Sequence, residues 1–362
     1  MAKRKTLWRG LSALFAFVFT LSCVAGTILE GYKATIDTNL GTQREKFVSE
    51  NTADDPLYDK FTPSAEVLNA DGTGNSHALI QKAIDLGHKQ AVEGAVLLKN
   101  ENNTLPLASG SNVTLLGIRS HISLLGSSFG VKAKGPYISL EQALSQNKTD
   151  FHNTIAYTLN TNYKTGEVTR ALSLSEWNGD EFEFEGAGFN VNPTMVDIYT
   201  KLNETYQHSE NETPFENYDP QEPSLAEVKA TNSDYEASFA QYGDAAIVVI
   251  SRPTAESKDY LPGSVAEGTG ASEPLELTTN EREVIETAKK ASDKVIVLIN
   301  TANAVEIGDL KNDPDIDAIL WIGLPGCYGM LGVADILCGR VSPSGAMSDI
   351  YATYNMSAPA MQ

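Results

Sequence analysis

The chain repeats one local pattern: a short run of consecutive apolar residues, bounded by a turn, next to a segment whose apolar residues recur at helical spacing. Ala245 to Ile250, Val295 to Ile299 and, in the strand Asp317 to Ile322, the five residues after Asp317 are such runs, and none alternates apolar with polar residues along its length. A strand of this kind must be covered on both faces, which is the condition of a strand inside a parallel sheet. The segments between them carry helix grammar. Thr278-Thr279-Asn280-Glu281 is a capping box, in which a threonine and the glutamate three residues on exchange hydrogen bonds with each other's backbone. The helix it opens carries Val284, Ile285 and Ala288 on one face, ends near Ala291 and feeds the Val295 strand. A second helix, Met330 to Cys338, is closed by Gly339. Strand and helix in alternation predict an α/β fold: a mostly parallel sheet sandwiched by helices.

The same grammar starts earlier. Apolar positions from His77 to Glu93 fall on helical spacing and lead into Ala95-Val96-Leu97-Leu98, and Val113 to Leu116 is a further strand closed by Gly117. Residues 227–241 read as helical. The stretch 150–222 is rich in Asn, Thr, Glu and Tyr, and Glu181-Phe182-Glu183-Phe184 alternates polar with apolar, so it reads as an insertion in the fold.

The N-terminus has a different character. Lys3, Arg4 and Lys5 precede Gly10 to Leu29, twenty residues without a charge, which is long enough to span a bilayer. The basic cluster before this run and Glu30 after it place residues 1–30 as a cytoplasmic stub with a transmembrane anchor, and everything following outside the cell. Cys23-Val24-Ala25 offers an alternative, cleavage as a signal peptide and secretion. Residues 31–74 are polar and read as a stalk, 75–352 as the α/β domain, and 353–362 as the start of a linker.

Composition excludes several functions. Forty-seven acidic against 27 basic side chains leave a net charge of −20, which repels phosphate backbones, so nucleic acid is not an expected partner. Three cysteines in unrelated contexts make no disulfide framework, and five scattered histidines add no zinc-ligand spacing, so no metal is expected. No GxGxxG or GxxxxGK[ST] follows any predicted strand, and no cofactor is expected. A parallel sheet gathers its ligand-facing loops at the C-terminal ends of its strands. That edge should hold Ser251-Arg252, Asn300 to Asn303 and Gly323 to Gly329.

Three separated motifs carry a family resemblance: Ala91-Val92-Glu93-Gly94-Ala95-Val96-Leu97-Leu98-Lys99-Asn100 with Leu105-Pro106-Leu107; Leu298 to Asn303; and Asp317 to Gly326 with Asp335-Ile336-Leu337, Gly339 and Ser342-Pro343-Ser344-Gly345. In order and in element type they resemble the C-terminal-type sandwich domain of family 3 glycoside hydrolases, over roughly residues 75–352. The placement after an N-terminal segment resembles the members with inverted domain order, in which a barrel follows the sandwich. The resemblance implies a retaining β-glycosidase, β-glucosidase-like, whose substrate is an oligosaccharide or β-glycoside and whose partner is the barrel half of the same enzyme; the apolar N-terminal run adds the membrane tether.

Retaining hydrolysis needs two carboxyl groups about 5–5.5 Å apart, one a nucleophile and one an acid/base. The resemblance implies an aspartate nucleophile in the barrel and an acid/base on a loop of the sandwich. Ser251-Arg252-Pro253-Thr254-Ala255-Glu256-Ser257-Lys258-Asp259 resembles the Ser-Arg stretch that leads to Gly-Glu-Gly and an aspartate. Glu256 is therefore the expected acid/base and Asp259 its support, with Arg252 a weaker substrate contact and Asn300 and Asn303 either weaker substrate contacts or, the favoured reading, caps of the turn after their strand. Ala255 and Ser257 stand where the family has glycines, which stiffens the loop. Glu267 and Glu273, further along the same loop, are rival acids. The alternative reading is a non-catalytic module that binds carbohydrate or protein at the cell surface.

Overall fold

In the computed structural model, the described residues are 2–33, 76–121, 123, 137–145, 148–149, 158–161, 168–172, 182–205, 222–252, 260–348, 351 and 353–354. Almost all of the expected stalk lies outside them, as do Glu256 and Asp259. The chain forms two compact units, residues 1–64 and 65–362.

In the first unit, helix α1 (Ala2–Gly31) contains a segment, Thr6–Gly31, long and apolar enough to cross a membrane. At 1.5 Å per residue those 26 residues reach about 39 Å, more than the ~30 Å hydrocarbon layer. The hydroxyls of Thr20, Ser22 and Thr27 donate to the carbonyls of Ala16, Val18 and Cys23, each at 2.9 Å, so their polar groups are satisfied within the helix. A helix of this kind at an N-terminus suits either an anchor or a signal sequence.

In the second unit, the apolar runs become the strands β1 (Val96–Asn100), β2 (Asn112–Leu116), β3 (Asn190–Val191), β4 (Ala245–Arg252), β5 (Val295–Thr301) and β6 (Ala318–Trp321) of one sheet, ordered β1-β6-β5-β4-β2-β3. Every pairing is parallel except β1 with β6. β1 is an edge strand with Leu97 exposed, so the run at 96–100 is half covered rather than fully buried. The helices are α2 (Ser76–Gly94), α3 (Ile118–His121), α4 (Leu140–Ser145), α5 (Pro193–Thr205), α6 (Leu225–Thr231), α7 (Thr279–Ala291), α8 (Gly308–Asn312) and α9 (Met330–Leu337).

Because strand side chains alternate, the uninterrupted apolar runs serve two cores at once. Ala245, Ile247 and Val249 of β4, with Ile296 and Leu298 of β5, face α2, α4 and α9. Ala246, Val248 and Ile250, with Val295, Val297 and Ile299, face α3, α5, α6, α7 and α8. This is the mostly parallel, helix-covered sheet the sequence predicts.

One boundary differs. The end of the expected insertion belongs to the sandwich itself, because β3 extends the main sheet and α5 seals the second core with Met195, Ile198, Tyr199 and Leu202. These four follow the i, i+3, i+4, i+7 rule, a helical stripe masked by the polar residues around it. Further back, 158–161 pairs with 168–172 and 148–149 with 182–183 in separate two-stranded ladders, apart from the main sheet.

The two ends of the domain are stitched together. Gly345 donates its N–H to the carbonyl of Ala95 at 3.0 Å, and a Cβ there would lie 2.5 Å from the Gly94 oxygen and 2.7 Å from that of Ala95, so a side chain would break the approach. Leu107 N–H reaches the Leu337 carbonyl at 2.8 Å. α2 and α9 cross closely at Gly332, where a Cβ would meet the His88 carbonyl at 2.6 Å. Beside the crossing His88 Nε2 lies 2.6 Å from Asp335 Oδ2, and Arg340 pairs with the other carboxylate oxygen.

Candidate functional site

β4 is the longest strand of the sheet, and its register carries Ser251 opposite Asn300 and Arg252 opposite Thr301, with Ile299 opposite Trp321 of β6. The loops after β4, β5 and β6 therefore leave from one edge, which is where a parallel sheet presents ligand sites. Asn300 is fully buried and donates from Nδ2 to the Gly323 carbonyl at 2.7 Å, tying the loop after β5 to the turn after β6. Thr301 Oγ1 donates to the Arg252 carbonyl at 3.0 Å and accepts from Asn303 N at 2.9 Å. Tyr351 Oη donates to the Asn303 carbonyl at 3.0 Å.

Arg252 is completely buried, a rare state for an arginine without a partner. Its guanidinium makes a forked pair with Glu281, Nη1 to Oε1 at 2.6 Å and Nη2 to Oε2 at 3.0 Å. It also donates to the carbonyls of Pro274 from Nε (2.9 Å), Glu276 from Nη2 (2.6 Å) and Ser251 from Nη1 (2.7 Å). Removing two charges from water costs several kcal/mol per ion, and only such dense pairing offsets it. Glu281 serves twice: as the third residue of the α7 capping box, its Oε2 also accepts from Thr278 N at 2.9 Å.

A second buried carboxylate stands at the end of β2. The chain turns there at Gly117, whose φ of +87° favours glycine, and Ile118 N–H donates to both oxygens of Glu222, at 3.2 and 3.0 Å. Burial pushes the Glu222 pKa well above the carboxylate range; the Ile118 N–H opposes this, the charge of Glu281 adds to it and that of Arg119 opposes it. Tyr199 is likewise raised well above its ordinary value, by burial first and by Glu222 second. Asn280 Nδ2 donates to the Glu222 carbonyl at 2.8 Å, so this carboxylate and the start of α7 are joined. Glu222, pushed toward its neutral form, thus lies within electrostatic reach of Arg119 and of Glu281, the partner of Arg252, beneath the edge.

The structure places the expected residues unequally. Arg252 and Asn300, expected among the weaker contacts, are buried, with hydrogen bonds to Glu281 and loop carbonyls for Arg252 and to the turn at Gly323 for Asn300. Asn303 stays half-exposed on the edge. Of the rival acids, Glu267 is exposed, while Glu273 accepts from Gly263 N at 2.8 Å and so ties its own loop together. Sequence reading missed Glu222 and Arg119. Arg119 carried a signal, a charge directly after the apolar run 115–118; Glu222, at the end of a polar stretch, carried none. Among the described residues no group of three His, Cys, Asp or Glu side chains could hold a metal.

A helix-covered, mostly parallel sheet with anchored loops along one edge defines this as an α/β sandwich domain. The glycosyl hydrolase family 3 C-terminal domain matches residues 95–356, and the chain belongs to that family. It is 27% identical over 308 residues to β-glucosidase A of Butyrivibrio fibrisolvens, covering 81% of this chain and 31% of that protein. It is 26% identical over 264 residues to β-glucosidase 1 of Saccharomycopsis fibuligera, covering 72% and 24%. A solved β-glucosidase from Paenibacillus barengoltzii shares the fold with a TM-score of 0.53 at 24% identity, covering 76% of this chain and 25% of that one. β-Glucosidase 3B from Thermotoga neapolitana in complex with glucose does so with 0.52 at 21%, covering 80% and 34%. The chain spans about a third of the length of these relatives, or less.

Proposed function

We propose that this domain forms one wall of the active site of a retaining β-glucosidase acting on β-glucosides or short oligosaccharides. The loop after β4 supplies the acid/base, Glu256, with Asp259 in support, and the nucleophile comes from a family 3 barrel domain. Asn303 is the edge side chain left in position to meet sugar. α1 tethers the assembly to a membrane, with the sandwich on the outer side. The observation that supports this best is the exit of the Glu256 loop from the central strand β4, at the edge where β5 and β6 also end.

General acid catalysis is needed most where the departing oxygen is a poor leaving group. In the enzyme assembled with its barrel, Glu256→Gln should lower kcat/KM for phenyl β-glucoside by about 100-fold while nearly sparing 2,4-dinitrophenyl β-glucoside. Equal rates for variant and parent on both substrates would remove Glu256 from the role. An assembled protein that binds glucosides without turning over either one would be the non-catalytic module instead.

A further inference from the structure

Resting on the proposed function, we infer that Arg252 and Glu281 are positioning residues: their buried ion pair clamps the two ends of the loop that carries the acid/base. From one guanidinium, hydrogen bonds reach back to Ser251, the last residue but one of β4, and forward to the carbonyls of Pro274 and Glu276. The segment 253–273, which holds every carboxylate considered as the acid, is thereby closed at its base. Glu281 fixes the guanidinium from the first turn of α7, and Thr301 Oγ1 fixes the Arg252 backbone from β5. Higher in the loop, Thr279 N–H donates to the Thr269 carbonyl at 2.8 Å, so the descending limb also rests on the start of α7.

Two physical arguments favour a positioning role over mere stability. A buried ion pair is seldom better for stability than apolar side chains of the same size, so its presence calls for another return. Proton transfer to a leaving oxygen is sensitive to placement on the scale of about 1 Å, so the spacing at which the two ends of the loop are held bears directly on it. The planar fork of an arginine meets a carboxylate and carbonyls on opposite sides at once, which the point charge of a lysine does not reproduce.

The test uses the assembled enzyme and the same two glucosides. Arg252→Lys should lower kcat/KM for phenyl β-glucoside at least tenfold more than for 2,4-dinitrophenyl β-glucoside. Combined with Glu256→Gln, it should lower the phenyl rate no further than Glu256→Gln alone, since both changes disable one acid. Should Arg252→Lys fail to fold, the double variant Arg252→Met/Glu281→Gln, which removes both charges and keeps an amide for the α7 cap, is read in the same way. Equal losses on both substrates, or losses that multiply in the combination while Glu256→Gln alone shows the leaving-group split, overturn the clamp and leave the acid in place. A split for Arg252→Lys but none for Glu256→Gln keeps the clamp and moves the acid to another carboxylate of the loop.

Discussion

The two ends of the sheet both hold buried polar groups, yet they solvate them by different means. At the N-terminal end, Asp317 accepts from Val295 N at 3.0 Å and from Asn102 Nδ2 at 3.1 Å, and Lys99 caps α8 by donating to the carbonyls of Lys311 (3.2 Å) and Asp313 (2.8 Å). The charged pair there, Lys289 with Asp313, keeps 17% and 23% of its side-chain surface in water. At the C-terminal end the Arg252–Glu281 pair keeps 0% and 3%. Water shares the work at one end; at the other the protein does it alone. An end solvated only by the fold is held to the geometry of its pairings, at the edge from which the loop after β4 departs.

The widest gap between the ends should appear on removing one buried charge. Arg252→Met leaves Glu281 buried without its partner and should cost about 3–5 kcal/mol, read as a fall in denaturant midpoint, and Glu281→Gln in the same chain should return most of it. If the single change costs no more than its counterpart at the other end, the contrast collapses. That counterpart is Lys99→Met, which frees two carbonyls near solvent and should cost about 2 kcal/mol by the same measurement.

A finer distinction comes from pH. Because the folded pKa of Glu222 is raised above its ordinary 4.5, the native state retains a proton that the unfolded chain has released. The Glu222 contribution to stability should therefore be constant below pH 4.5 and fall as pH rises from there through the folded pKa, by at most about 1.4 kcal/mol per unit. Thermal midpoints of Glu222→Gln should lack that decline; an unchanged slope would assign it elsewhere. The smallest effect belongs to Arg282 and Asp309, a surface pair 48% and 51% exposed that joins α7 to α8. With solvent screening, Arg282→Ala should move the denaturant midpoint by less than about 0.5 kcal/mol.

Much of the fold was legible because each of its signals is local. The runs at 245–250 and 295–299 show double-sided burial in their composition, and the Thr278–Glu281 box announces the first turn of α7. Strand direction was not legible: nothing in five residues says that β1 runs against β6. α5 was hidden by the polar majority of its residues, though its four core positions keep helical spacing. At the site, the edge was readable and the role of its side chains was not. Arg252 looks outward in a loop motif, but its partner lies 29 positions away in a helix cap that already had an assignment. A residue with two functions shows only the nearer one in sequence.

The stitch between Gly345 and Ala95 has a consequence at the level of the gene. The first strand and the closing motif of the sandwich lie side by side, so after its last helix the chain returns to the place where it first enters the sheet. Folds with adjacent ends tolerate permutation and insertion, since a partner domain spliced before the first strand or after the last segment starts from the same point in space. Order along the chain can then change while the place at which an added segment meets the sheet is kept.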